Sequence, residues 1–516
     1  MLLTFALYLV PALRIVQLQP DAAEYVDVAR HLVAGQGYTA AIKASHFWGT
    51  DVVHDGLQQR APLYTFLVAA ILGLRLPLVA LQVANAGLIA GCIGLVLLIG
   101  ERLFGRQIGL LTAGLAIASP VVLTYMLPPM SEALAIFLSL LAVWLVIRAE
   151  RPRPLDVGLA GGAVGLAYLT RQPLGVLAVP LLLGAAVAYR GRAALRPLAA
   201  LLSGLALVVA PVTLWSLVTH GSLSYSGQSY LYAVFDETDV RDNAFRRPLV
   251  SPLEFVRANA EFVVRAVGEH VVAYARLLFG RDEWLLLLLP AWPFVLLAAA
   301  RRRYGPAAWT VLFVAAANFA VYAATWSTFK QRYLLLTLLL LLPFAVDGVG
   351  HLGRLGLARL RWGPINALQL AALALALYWS GTLLGEYRLA ASGAPQRDVF
   401  RGVLWTGIGD LVDDPDFGRL IGWIEANAEP GAIVAHPQPW PFTFYTERPA
   451  VLLPRRLDLD QLGGFLRAYR VSYVLLTDAD RRRLGYADSF ETLAIDGVRS
   501  TSVGAYRVYD TRALWR

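Results

Sequence analysis

The chain has 516 residues, 57% of them hydrophobic and only 16% charged, with a mean hydropathy of +0.56. Soluble chains run near a quarter charged, so a water-soluble globular enzyme is excluded; a single cysteine, Cys92, also excludes a disulfide framework and a Cys-based zinc site. The net charge of +9 sits mostly in short turns between apolar blocks, where it reports topology and indicates no nucleic-acid partner.

Apolar blocks of about 17 to 25 residues repeat along the chain, the length needed to cross a bilayer. In chain order the predicted spans are Leu2 to Leu18, Pro77 to Gly100, Ile108 to Tyr125, Glu132 to Ile147, Leu155 to Leu169, Leu174 to Ala188, Pro197 to Val218, Trp284 to Ala300, Ala307 to Trp326, Tyr333 to Val349 and Ile365 to Leu384, eleven in all. The first reads as a retained anchor, because it lacks a basic leader and a small-x-small cleavage site.

Between the first two spans, Pro20 to Val33 has helical spacing of Ala22, Tyr25, Val26, Ala29, Leu32 and Val33, ended by Gly35 and Gly37. Asp21 followed three residues later by Glu24 suggests a capping box at its start. The run Leu63 to Leu74, after Arg60-Ala61-Pro62, is too short to cross and is expected to be re-entrant or to lie against the outer face. In the second long loop, Ser251-Pro252-Leu253-Glu254 caps a helix with a charged stripe of Arg257, Glu261, Arg265 and Glu269, expected at the membrane interface. After the last span the composition becomes that of a soluble domain, with helices near Gly418 to Ala426 and Leu459 to Ala468. Strand-like runs lie at Ala432 to Ala435, Ala450 to Leu453, Val471 to Thr477 and Tyr506 to Tyr509.

Alternate turns carry the arginines: Arg102 and Arg106; Arg148, Arg151 and Arg153; Arg190, Arg192 and Arg196; Arg301, Arg302 and Arg303; Arg354, Arg359 and Arg361. The positive-inside rule makes these cytoplasmic, with the N-terminus inside. Residues 1–384 then form a transmembrane domain with outer loops at 19–60 and 219–283, and 385–516 form an outer C-terminal α/β domain. The class is a polytopic α-helical membrane protein with outer-face juxtamembrane helices.

Cations that break the rule ask for a reason. Arg60, Arg171, Lys330 and Arg332 all fall at outer ends, and an anionic group held at that level, most simply a lipid phosphate, accounts for the set. The acids at the same boundary are Asp21, Glu24, Asp27 and Glu132, where Glu132 also suits a first-turn dipole partner after Pro128-Pro129.

The order Asp21, Tyr25, Ala29, Leu32, Gly35-Gln36-Gly37-Tyr38, then Arg60-Ala61-Pro62-Leu63-Tyr64, Ser131-Glu132, Leu169-Thr170-Arg171-Gln172-Pro173 and Arg332-Tyr333 resembles the bacterial GT-C membrane glycosyltransferases. It is similar to the protein O-mannosyltransferase and lipid A aminoarabinose transferase group, family 39. The resemblance covers the whole membrane part, and Trp423-Ile424 through Tyr445-Thr446-Glu447-Arg448-Pro449 to Tyr473-Val474-Leu475 looks like the soluble domain many members carry. It implies transfer of a sugar from a polyprenyl-phosphate donor to a lipid, glycan or protein acceptor at the outer face of the cytoplasmic membrane, among membrane lipids. Asp21 matches the family's first-loop catalytic aspartate. Here the acids are split as Asp21-Ala22-Ala23-Glu24 where many members have Asp-Glu adjacent, and Ala61 replaces the first of two prolines after the basic residue.

In such a donor the anomeric carbon already bears a good leaving group, so one base suffices. The expected scheme is inverting, with Asp21 as base and with Arg60, Arg171, Lys330 and Arg332 on the departing phosphate. Glu24, Tyr25, Tyr64, Glu132 and Tyr333 are expected to orient substrate. Tyr225, Tyr230, Tyr232 and Phe235 either stack on sugar faces or form an interfacial belt. No cofactor is expected. A divalent metal on His46, Asp51, His54 and Asp55 is the alternative, at a spacing that matches no established site. The competing classes are a lipid-linked-sugar transporter and an envelope assembly protein. A transporter would show charges at mid-membrane, whereas the mid-span polar residues are Asn85 and Asn318, a type that more often joins helices.

Overall fold

A computed structural model describes residues 1–14, 19–44, 49–58, 60–189, 191–221, 252–279, 304–325, 331–356, 381, 384–385, 388, 414–486, 490 and 497–515. The chain divides into two compact units: Met1–Val16, Leu78–Ser224 and Glu261–Trp405 form one, and Gln17–Pro77, Tyr225–Ala260 and Thr406–Arg516 the other.

The first unit is all helix among its described residues. Among the described residues, four helices are long and apolar enough to cross a membrane: Val79–Phe104, Leu195–Thr219, Pro306–Thr325 and Gln331–Gly348. Shorter apolar helices include Leu2–Leu13, Arg106–Ala118, Glu132–Ile147 and Gln172–Ala188. The expected spans Trp284 to Ala300 and Ile365 to Leu384 fall largely or wholly outside the described residues. The expected span Ile108 to Tyr125 is two helices, Arg106–Ala118 and Pro120–Met126. Its break follows from proline: Pro120 pushes Ser119 out of the helical region, to ψ 117°, and offers no N–H to continue the ladder. The helices Pro154–Thr170 and Leu195–His220 approach so closely that a side chain at Gly161 would strike the Leu201 backbone, and one at Gly204 the Gly158 backbone. Small residues allow that approach where no water drives association.

Two buried asparagines fix the turns next to Glu132 and Arg332. Asn85, from the Val79–Phe104 helix, donates to the Pro128 carbonyl at 2.6 Å, fixing the turn before Glu132. Asn318 donates to the Tyr333 carbonyl at 3.1 Å and to the Thr337 hydroxyl at 2.9 Å, fixing the Gln331–Leu334 turn. Both join elements, the role expected of them.

The second unit is built on a six-stranded mixed sheet. Its strands are β2 (Ile42–Lys43), β4 (Val434–His436), β5 (Ala450–Leu452), β6 (Tyr473–Thr477), β7 (Arg499–Val503) and β8 (Tyr506–Asp510), ordered β2-β5-β4-β6-β8-β7. β2, β5, β4 and β6 are parallel; β8 and β7 are added antiparallel. A two-stranded sheet pairs β1 (Thr39–Ala40) with β3 (His54–Asp55). Alternate side chains fill two cores. Val434, Ala450, Tyr473 and Leu475 pack with Phe417, Leu420 and Ile424 of the Pro415–Asn427 helix, while Ala435, Val451, Val474 and Leu476 pack with Leu462, Phe465 and Leu466 of the Leu459–Ala468 helix. A sheet covered on both faces needs continuous apolar strands, as the central β4, β5 and β6 largely are. The edge strand β2 comes from the first loop, in register with Ile42 opposite Ala450 and Lys43 opposite Val451.

The Pro20–Val33 helix carries Asp21 and Glu24. The expected capping box is absent: Gln19 is the N-cap and makes no side-chain cap, and Asp21 stands inside the first turn. Pro20 at the first helical position sets the start one residue before Asp21, and the aspartate is drawn to another partner. Asp27, on the same helix, accepts from the Ala41 N–H at 2.7 Å and the Ile42 N–H at 3.2 Å, tying the helix to β2.

Burial raises the Asp27 carboxyl to about 7 against the pull of those two N–H donors. A raised carboxyl binds its proton more tightly folded than unfolded, so its contribution is full below about pH 4 and is lost as pH rises toward about 7. Asp27→Asn is expected to flatten the decline of thermal stability between those pH values, with the wild type losing on the order of a few kcal/mol. Unfolding midpoints of both proteins across pH 4 to 8 in detergent check this. A wild type whose midpoint rises through that window contradicts it.

Candidate active site

Each unit holds one cluster of the residues singled out in the sequence. In the second unit, Arg60 bridges two carboxylates: Nε donates to Glu24 Oε2 at 2.6 Å and Nη2 to Asp21 Oδ1 at 2.7 Å. Asp21 and Glu24 lie three apart and so share one helix face, which lets a single planar guanidinium reach both. The guanidinium also lies over the Tyr25 ring, 5.2 Å from its centroid. Tyr25 meets the edge of the fully buried Tyr64 at 4.9 Å. The Tyr38 hydroxyl donates to the Thr65 hydroxyl at 2.9 Å and reaches the Arg60 carbonyl at 3.3 Å, fixing the backbone at the turn.

The two acids differ in access. The Glu24 side chain is 5% exposed and that of Asp21 25%, so Asp21 is the one open to an incoming group. Burial pushes the Glu24 carboxyl up, with Arg60 pulling it down, Asp21 pushing it up and the Trp440 N–H pulling it down. That N–H is a contact the sequence did not show: Trp440, at the start of the Trp440–Thr446 helix, donates to Glu24 Oε1 at 2.6 Å. A second contact lies further along the same helix. Arg30 donates to the Phe444 carbonyl at 2.7 Å and lies over the Phe444 ring at 4.9 Å. The only sequence signal is a stiff Pro437-Gln438-Pro439-Trp440-Pro441 segment, in which a tryptophan has few ways to turn.

In the first unit, Glu132 opens the Glu132–Ile147 helix and is buried. It pairs with Arg171 Nη1, and Arg332 Nη1 lies 3.5 Å from the same oxygen. Both guanidiniums stand over the Tyr333 ring, at 5.3 Å for Arg171 and 5.0 Å for Arg332. Arg332 also donates to the Tyr333 hydroxyl at 3.0 Å. Tyr322 stacks behind Tyr333 at 5.0 Å. Local sequence puts the arginines there. Arg171 is the extended residue that ends the Pro154–Thr170 helix ahead of Pro173, and Arg332 sits in the short turn before the Leu335–Gly356 helix.

Lys330, Tyr225, Tyr230, Tyr232, Phe235 and His46 lie outside the described residues. Among the other residues considered as metal ligands, His54 Nδ1 pairs with the Val52 carbonyl at 2.9 Å and Asp55 accepts from the Leu57 N–H at 2.7 Å. Asp51 acts on Lys43, whose ammonium is held down to about 8 by burial. Among the described residues no three His, Cys, Asp or Glu side chains are grouped as a metal site would need.

The family model for dolichyl-phosphate-mannose-protein mannosyltransferase matches residues 59–215. Comparison with curated protein sequences finds no match. Among solved structures, ArnT from Cupriavidus metallidurans bound to undecaprenyl phosphate is similar over 100% of this chain and 98% of its own, with a TM-score of 0.58 at 14% identity. The archaeal oligosaccharyltransferase AglB from Archaeoglobus fulgidus, in complex with an inhibitory peptide and a dolichol-phosphate, is similar over 99% of this chain and 74% of its own, with a TM-score of 0.54 at 13% identity. The fold is that of the GT-C membrane glycosyltransferases, and with its long apolar helices the chain is membrane-embedded.

Proposed function

We propose that the protein is a glycosyltransferase that moves a sugar from a polyprenyl-phosphate donor to an acceptor at the outer face of the cytoplasmic membrane, inverting the anomeric carbon. The observation that carries this is the Asp21–Arg60–Glu24 bridge: a part-exposed carboxylate held in place by an arginine that is itself fixed by a buried acid. ArnT and AglB, whose fold the chain shares, are seen with undecaprenyl phosphate and dolichol-phosphate, which supports a lipid phosphate as the donor's leaving group.

In the proposed reaction the acceptor oxygen or nitrogen attacks the anomeric carbon and its proton passes to Asp21. The bond from that carbon to the phosphate oxygen breaks, and polyprenyl phosphate leaves with the electron pair. Two nitrogens of Arg60 are taken by Asp21 and Glu24, so Arg60 chiefly positions the base and adds positive charge. Arg171, Arg332 and Lys330 take the phosphate, the two guanidiniums through planar forks of donors. Tyr25, Tyr64, Tyr333 and Glu132 hold these groups and orient sugar. The Arg60 guanidinium brings to the acids the positive charge a divalent ion would bring, so the proposed reaction uses no metal; turnover that survives chelation is the expected result.

The topology proposed with it has eleven spans, an inner N-terminus, and the first loop and C-terminal residues outside. The experiment is incubation of the purified protein in detergent with a panel of polyprenyl-phosphate sugars and membrane extract as acceptor. One donor is expected to release polyprenyl phosphate. Donor that binds and is never consumed, with binding lost in Arg332→Ala, would turn the reading to a lipid-linked-sugar carrier.

A further inference from the structure

Both Glu24 oxygens are occupied: Oε2 by Arg60 Nε at 2.6 Å, Oε1 by Trp440 Nε1 at 2.6 Å. An indole N–H only donates, so the direction of the second bond is not in question. Trp440 lies 416 positions from Glu24 in the chain. Its helix is keyed to the sheet by Phe442, fully buried in the core that Val434, Ala450 and Tyr473 share. The same helix is held a second time by Arg30 on Phe444. The contacts form one chain, from the sheet through Trp440 to Glu24, Arg60 and Asp21.

We propose that Trp440 is a positioning residue for the transfer reaction: its N–H fixes the Glu24–Arg60–Asp21 chain, so the α/β sheet sets the orientation of the base. This rests on the transferase reading and deepens it. A phenylalanine would fill most of the same apolar space, so bulk alone does not account for a 2.6 Å bond to a carboxylate that is 5% exposed. The charged groups acting on Glu24 are Arg60 from the loop and Asp21 from its own helix; Asp27, also on that helix, is coupled to Glu24 and to Arg30. Loss of a donated N–H raises a carboxyl, so without Trp440 the form of Glu24 that holds Arg60 is lost at higher pH.

The test compares wild type, Trp440→Phe, Glu24→Gln and the double variant for donor turnover as a function of pH. Trp440→Phe is expected to lower kcat about 10- to 100-fold, the range of a hydrogen bond to a charged group, with the donor KM near wild type. The acid limb of its pH profile is expected to move up by about one unit. In the Glu24→Gln background the same substitution is expected to cost less than about twofold, because the two act through one contact. If Phe at this position does not fold, benzothienylalanine, which keeps the indole shape and lacks the N–H, is expected to give the same loss. A wild-type kcat and pH profile in Trp440→Phe overturns the inference and leaves the transferase reading standing. An equal loss with or without Glu24 also overturns it. A wild type that consumes no donor overturns both.

Discussion

Asp21→Asn is expected to lower sugar transfer about 100- to 10,000-fold, the usual worth of a general base, while donor affinity stays within about threefold. The substitution is conservative in shape, and the Asn carbonyl can still accept from Arg60 Nη2, which now donates to Asp21 at 2.7 Å. What is lost is the capacity to take the acceptor's proton. Glu24 is a poor substitute, because its side chain is buried and its two oxygens are held by Arg60 and Trp440. Initial rates and direct donor binding on the same preparation check this. Retention of more than about a third of wild-type turnover, against the range expected of a base, would place the base elsewhere.

Arg332→Ala is expected to lower kcat about 100- to 1,000-fold and to weaken binding of polyprenyl phosphate, as removal of one preorganised donor to a developing charge does. Arg332→Lys is expected to recover little. The arginine's fork donates to the Tyr333 hydroxyl at 3.0 Å and forms an ion pair with Glu132 at 3.5 Å while standing over the Tyr333 ring. An ammonium supplies a point charge and cannot keep that fork and the stacking together. Glu132 keeps its partner Arg171 in the variant, so the buried acid is not stranded and the fold is expected to hold. Titration with polyprenyl phosphate and with neutral polyprenol separates the phosphate contribution from the lipid tail. Equal affinity of wild type and Arg332→Ala for the phosphate would contradict the assignment.

Much of this arrangement was legible in the chain because cations and acids are rare in apolar surroundings. Asp21, Glu24, Arg60, Glu132, Arg171 and Arg332 stood out for their positions, and the structure brings them into two clusters of direct contacts. The pairings themselves were not legible. Glu132 suits a helix-dipole partner on local grounds, and only tertiary packing delivers two arginines to it. The capping-box pattern at Asp21 and Glu24 misled because Pro20 had already set the helix start. Strand β2 is two residues long and carries no periodicity; its partner lies some four hundred positions away. Strand β7, Arg499–Val503, is polar and exposed at the sheet edge, so alternation gave no sign of it. The contact of Trp440 with Glu24 depends on that same long-range assembly.

In the proposed reaction bound donor is cleaved as its sugar is transferred. The most direct measurement is the stoichiometry of a single turnover, with donor radiolabelled in both sugar and lipid and the protein in sealed vesicles. One polyprenyl phosphate released for each sugar joined to acceptor is the predicted result. Labelled donor that crosses the bilayer intact, with sugar and lipid still joined, would contradict it.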